Sequence, residues 1–218
     1  YSIHVDQQER IWLGTDMGLM MAKQIANENP VFDFVEDIFE TKVSDIIQSG
    51  NSLLVGTEDA GLFQIELQLN SYQVQELSHE GTDIKKIAIN SLFQDSENNL
   101  WVCSNNKGLF QFTGLIGNRF LRKIEFQGSD ELKTTSIRIC REDREGNIWI
   151  GTMGDGLLQL TDSYFSILTL QDDKQHPEIF SIHENQSEKP SGGLRRSVGT
   201  APKKRLRGSF FKCSSKIE

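Results

Sequence analysis

One pattern, written four times along a chain of 218 residues, constrains this protein more than any other feature of its sequence. The stretches "SIHVDQQERIWLGTDMGLMMA", "VSDIIQSGNSLLVGTEDAGLFQI", "INSLFQDSENNLWVCSNNKGLFQF" and "IRICREDREGNIWIGTMGDGLLQL" share one grammar. Each has a β-rich run, an Asp, a polar turn, an apolar-Trp-apolar strand, Gly-Thr, a second turn and Gly-Leu. The equivalent positions Trp12, Leu54, Trp101 and Trp149 lie 42, 47 and 48 residues apart. Self-similarity at that period marks a stacked or radial repeat architecture.

Each unit reads as four short antiparallel strands. The first alternates apolar and polar residues, as a half-buried strand must. The turn after it gathers Asn, Asp and Gly, as in Arg144-Glu145-Gly146-Asn147, because a tight hairpin needs residues that tolerate positive φ. The second strand carries the Trp, the third begins at Gly18, Gly61, Gly108 or Gly156, and "VFDFVED", "SYQVQEL" and "RFLRKIEF" supply the fourth. Period, strand count and paired glycines predict an all-β chain, a β-propeller of about four blades of four antiparallel strands. An indole buries about 150 to 250 Å², so one per blade at constant depth fills the gap between adjacent sheets. The Gly after it is expected to let backbones approach closely. Trp12, Gly14, Thr15, Leu54, Gly56, Thr57, Trp101, Trp149, Gly151 and Thr152 are therefore structural repeat positions rather than catalytic ones.

The succession of Asp, Gly-Asn, apolar-Trp-apolar-Gly-Thr and Gly-Leu resembles the two-component regulator propeller repeat, and WD40 or kelch repeats less well. "EDREGNIWIGTMGDGLLQL" is an almost complete match, whereas the second unit has Leu54 for Trp and the third has Cys103-Ser104 for Gly-Thr. The resemblance runs from residue 2 to about 189. It implies the extracytoplasmic sensor propeller of a bacterial membrane receptor, followed by further blades, a β-sandwich, a membrane span and a histidine kinase or diguanylate cyclase output. No motif of such an output occurs in these 218 residues, so no catalysis is expected of this segment.

Composition divides the chain in two. Residues 1–189 hold 15 Lys and Arg against 30 Asp and Glu, and residues 190–218 hold 8 against 1. An acidic body repels polyanions, so nucleic acid is not an expected partner of the body. Repeat units fall near 2–40, 41–80, 81–128 and 129–170. A partial fifth, 171–189, opens with "IFSIHENQSEK" and breaks off, which points to an incomplete arc of blades. The basic tail "PSGGLRRSVGTAPKKRLRGSFFKCSSKIE" has no alternation. A solvated disordered terminus, a basic localisation or nucleic-acid patch, and a change of coding frame near Lys189 each account for it, the last being preferred. The chain starts inside a repeating unit and lacks signal-peptide features, so it is expected to be a segment of something larger. Cys103, Cys140 and Cys213 are odd in number and without a C-x-x-C pair, and His4, His79, His176 and His183 are scattered. Buried or incidental thiols, no disulfide framework, no metal site and no cofactor are the expectation.

In a four-stranded antiparallel blade, the loop before the first strand and the loop between the second and third emerge at one end, the mouth of a propeller. Asp16, Met17, Glu58, Asp59, Asn105, Asn106, Lys107, Met153 (with Gly154) and Asp155 occupy these loops, as do Ala60, Lys85, Lys86, Lys133, Thr134 and Thr135. They are polar and differ between units, which is how a repeated scaffold acquires a site without disturbing its core. A small polar ligand such as an oligosaccharide is the expected partner, with a possible homodimer. A structural or protein-interaction platform is the alternative. A propeller glycosidase or lyase is the remaining one, although no carboxylate pair is singled out by spacing.

Overall fold

The computed structural model describes residues 2–23, 29–105, 107–117, 119–124, 136–161, 164–168, 181–185 and 210–214. The first sheet comprises β1 (Ile3–Val5), β2 (Arg10–Thr15), β3 (Gly18–Lys23) and β4 (Asp33–Phe39). The second comprises β5 (Val43–Ser49), β6 (Ser52–Thr57), β7 (Leu62–Leu67) and β8 (Tyr72–Glu76). After the short β9 (Ser78–His79), the third holds β10 (Ile89–Gln94), β11 (Leu100–Ser104), β12 (Leu109–Ile116) and β13 (Arg119–Ile124). The fourth holds β14 (Ile137–Glu142), β15 (Ile148–Thr152), β16 (Leu157–Thr161) and β17 (Tyr164–Leu168). Strands follow chain order and pair antiparallel within every sheet, and β9 adds a parallel strand beyond β13. Neighbouring sheets meet through their first strands, β5 beside β10 and β10 beside β14. This is the propeller arrangement of blades that the repeat predicts.

Why the chain turns where it does follows from one carboxylate per hairpin. Asp6, Asp95 and Asp143 close the first hairpins of their blades by accepting backbone N–H groups two and four residues on, at 2.8–3.0 Å. The third residue after the Asp then enters the left-handed region, at Glu9 (φ 59°), Asn98 (φ 64°) and Gly146 (φ 84°). This is the three-residue loop with a bulge that matches the twist of paired strands. The other lone pairs of the same carboxylates take the indole N–H of the Trp six residues on: Trp12 at 2.8 Å, Trp101 at 2.7 Å and Trp149 at 2.7 Å. One side chain thus shapes the turn and fixes the ring. In the second blade Ser49 pairs directly with Ser52, so the hairpin is one residue shorter, and both the Asp and the Trp are missing. Turn and indole are lost together because they share an acceptor.

Trp12 and Trp101 lie between sheets. Trp12 is fully buried among Val43, Ile46, Leu53, Val55, Phe63, Ile65 and Leu67 of the second blade, and its ring meets Tyr72 edge-on at 5.3 Å. Leu54 stands at the same place against Leu92, Leu100, Val102 and Phe112 of the third blade. Trp101 does so against Ile137, Cys140, Ile148 and Ile150 of the fourth. Polar ties reinforce each seam. Arg10 donates to the carbonyls of Gln68 (3.2 Å) and Ser71 (2.8 Å) one blade away. Asp45 accepts from Leu92 N at 2.9 Å, Asn90 donates to Ile137 O at 2.8 Å, and Ser96 binds Glu142 through backbone and hydroxyl.

One expectation needs correction. The Gly after the Trp makes room for a side chain of the next blade, not for a backbone: a Cβ on Gly14 would stand 2.7 Å from Val43 Cγ1, and one on Gly56 2.7 Å from Ile89 Cγ2. Close backbone approach belongs instead to the glycine opening the third strand. Gly61 has φ 80°, and a Cβ there would stand 2.5 Å from Ile84 O. Cys103 and Cys140 are buried thiols, as expected, and they sit on facing blades with sulfurs 2.6 Å apart. Of the fifth unit, β18 (Ser181–Asn185) is described and lies beside β14. Within the basic segment 190–218, Phe210–Ser214 forms β19 against β18. The rest of that segment lies outside the described residues.

Candidate functional site

The loops joining the second and third strands of the blades are preset by the hydroxyl of the Gly-Thr pair. Thr15, Thr57 and Thr152 each donate to the carbonyl of the glycine opening the next strand, Gly18, Gly61 and Gly156, at 2.8 Å. The same oxygens accept the N–H of Met17 (3.2 Å), Ala60 (3.1 Å) and Asp155 (2.9 Å) within the loop. Ser104 replaces Thr in the third blade, and its hydroxyl takes the N–H of Lys107 at 2.9 Å. A hydroxyl that satisfies the loop from inside leaves the tip residues pointing outward. Asp16, Met17, Glu58, Asp59, Asn105, Lys107 and Asp155 are all exposed.

The lead-ins to the first strands tie these loops to one another in pairs. Glu40 N donates to Met17 O at 3.0 Å and Glu58 N to Lys42 O at 3.0 Å, so residues 40–42 bridge the loops of the first and second blades. Asn105 N donates to Ala88 O at 2.8 Å, and Met153 N to Ser136 O at 2.9 Å. The Ser136 hydroxyl also donates to Asn105 Oδ1 at 2.6 Å and lies 3.2 Å from Met153 Sδ, joining the loops of the third and fourth blades. The structure thus brings Asn105 and Met153 together, and Met17 with Glu58 and Asp59.

Not every candidate side chain faces outward unspent. Glu58 is paired with Lys42 at 2.5 Å, and Asp59 accepts the hydroxyl of Thr41. Lys85 meets Glu76 at 2.5 Å and Lys86 meets Asp83 at 2.8 Å. Asn106, Lys133, Thr134 and Thr135 lie outside the described residues. Thr41, Lys42 and Ser136 were not singled out from sequence. Their signal is positional, since each occupies the two residues before a first strand, where the loop of the same blade must touch down. Chemically, these loops offer carboxylates, amides and an ammonium as hydrogen-bond partners on a framework that spans successive blades. Such a surface suits a ligand rich in hydroxyl groups.

Comparisons with known proteins agree with this architecture. The family model described as "Two component regulator propeller" matches residues 85–106 and 131–154. No curated protein matches the chain in sequence. The extracellular domain of a B. thetaiotaomicron protein assigned as a one-component system, BT4673, is 21% identical with a TM-score of 0.60, over 84% of this chain and 23% of that one. The extracellular domain of BT3049, assigned in the same organism as a hybrid two-component system, is 19% identical with a TM-score of 0.62, over 85% of this chain and 25% of that one. Virginiamycin B lyase from Staphylococcus aureus is 11% identical with a TM-score of 0.58, over 82% and 58%. At such identities the likeness is one of fold, and the chain spans about a quarter of the length of the two B. thetaiotaomicron structures. Repeat grammar, blade geometry and the family match coincide at the third and fourth units, where residues 85–106 and 131–154 match the two-component regulator propeller.

Proposed function

We propose that this chain is part of the ligand-sensing propeller of an extracytoplasmic receptor of the two-component type, and that it binds a polar ligand, with oligosaccharides as the class to test, at the rim of the loops between second and third strands. The observation that carries this reading is how these loops are built. Loops differing in sequence are fixed from within by a constant hydroxyl and joined in pairs by the lead-ins, and Asp16, Asn105, Lys107 and Asp155 are exposed in them. The kinship of the repeat with regulator propellers, and the likeness in fold to extracellular sensor domains, support the signalling role and the location outside the inner membrane. The segment acts by binding, and a bound ligand shifts the parent receptor between two states to the extent that it prefers one of them. Further blades and signalling domains of the parent are the partners within the chain.

Isothermal titration of the chain against a panel of oligosaccharides, with amino acids and small peptides alongside, tests this directly. Saturable heat with a sugar, lost in an Asp16→Ala, Asn105→Ala, Asp155→Ala variant that keeps its unfolding midpoint, is the expected result. Silence across the whole panel would overturn ligand binding at the rim. A second reading, a structural or dimerising platform, is favoured by the internal use of Glu58, Asp59 and Asn105. It predicts that silence together with retained self-association.

A further inference from the structure

Two equivalent positions recur in the blades: the residue two after the Trp or its equivalent, and the inner-strand residue of the following blade that stands for Ile46, Leu92 or Cys140. Between the second and third blades these are Gly56 and Leu92, and a Cβ on the glycine would lie 3.4 Å from Leu92 Cδ1. The equivalent positions in the first and second blades are Gly14 and Ile46. In both cases the first position is a glycine and the second a large aliphatic residue. Between the third and fourth blades both positions change at once, to Cys103 and Cys140. The small residue grows and the large one shrinks at the same contact, so the seam keeps its volume, and both newcomers are thiols with sulfurs 2.6 Å apart. Packing alone explains an exchange of size. It does not explain why both members became cysteine.

We propose that Cys103 and Cys140 form a disulfide that ties the third blade covalently to the fourth. Each thiol gives up its hydrogen, the two sulfurs join, and two electrons and two protons pass to the oxidant. That oxidant is a disulfide of the glutathione or thiol–disulfide oxidoreductase class, which leaves as two thiols. Both residues are fully buried. Burial, and then the neighbouring Cys103, push the Cys140 thiol well above its ordinary value, so the thiolate needed for exchange is scarce once the seam has closed. The bond therefore forms during folding, while the blades are still open, and is sheltered from reductant afterwards. Cys213 belongs to β19, which pairs with β18 rather than with β11 or β14.

Peptide mapping of the full chain, refolded from the reduced state in a glutathione redox buffer and alkylated in denaturant without reductant, is the direct test. Because the buffer supplies the oxidant, the result does not depend on where the chain resides in a cell. A linked peptide holding Cys103 and Cys140, split by reductant, with Cys213 alkylated, is expected. Recovery of Cys103 and Cys140 as separate alkylated peptides, or of either joined to Cys213, would overturn the proposal. A Cys103→Gly, Cys140→Leu variant restores the pair found one seam earlier and should fold. Its unfolding midpoint should ignore reductant, while that of the parent chain drops by several degrees; equal responses in the two proteins would count against the bond.

Discussion

Asp6 shows at the scale of one residue how much of a blade can rest on a single carboxylate. It accepts two backbone N–H groups, the Trp12 indole at 2.8 Å and the Arg10 guanidinium at 2.6 Å, with its own side chain removed from solvent. Burial alone would raise its pKa, but the hydrogen bonds from Trp12 and Arg10 and the charge of Arg10 outweigh it and hold the carboxyl below its ordinary value. A group whose folded-state pKa is depressed contributes stability in full above its unfolded value, about 4, and loses it as the pH falls through the lower folded value. Asp6→Asn should therefore cost about 1–3 kcal/mol near neutrality, the worth of hydrogen bonds to a charged group. The difference from the parent should shrink in acid. Urea midpoints measured for both proteins from pH 7 down to pH 3 check the sign, and a gap of constant size would contradict it.

At the scale of the element, the seam between blades is set by side chains whose identities are separated by a whole repeat. Gly56 is the plainest case, because the space its Cβ would need is already filled by Ile89 of the next blade. Gly56→Ala should overpack the seam by about 1–3 kcal/mol, lowering the thermal midpoint by roughly 2–10 °C for a chain of this size. Differential scanning calorimetry would read this, and an unchanged midpoint would mean that β10 slides away at no cost. The third blade carries Cys103 at the same position, where Cys140 of the fourth blade stands in the place of Leu92. The sequence alone shows the departure from Gly-Thr; that a second departure answers it across the seam is visible only once β11 faces β14.

For the whole molecule, the first blade is the informative one. Ile3 stands where Ile46, Leu92 and Cys140 are buried against a preceding blade, yet it is 68% exposed, and Val5 on the same face is 54% exposed. The opposite face of β1 is engaged, with His4 Nε2 2.9 Å from Gln48 Oε1 of the second blade. An apolar sheet face of this kind invites pairing, so the 218-residue chain on its own should self-associate. Ile3→Lys with Val5→Lys should shift it toward the monomer. Sedimentation velocity across a concentration series decides the matter, and a compact monomer at every concentration would show that the exposed face is inert.

What the amino-acid order determined by itself is the blade: its four strands, the place of the Trp, the positive-φ turn residues at Gly146 and Asn98, and the outward loops. All of these arise within about twenty residues, and a copied unit announces them by its period. The tertiary structure decided what happens between copies. That Arg10 reaches the carbonyls of Gln68 and Ser71, that Asp59 and Glu58 spend themselves on Thr41 and Lys42, and that Cys103 meets Cys140 depends on which sheet abuts which, and at what rotation. Hydrogen bonding along a strand is local and periodic, and so it leaves a pattern in the sequence. Packing between sheets joins residues some forty positions apart through shape, which has no period to read.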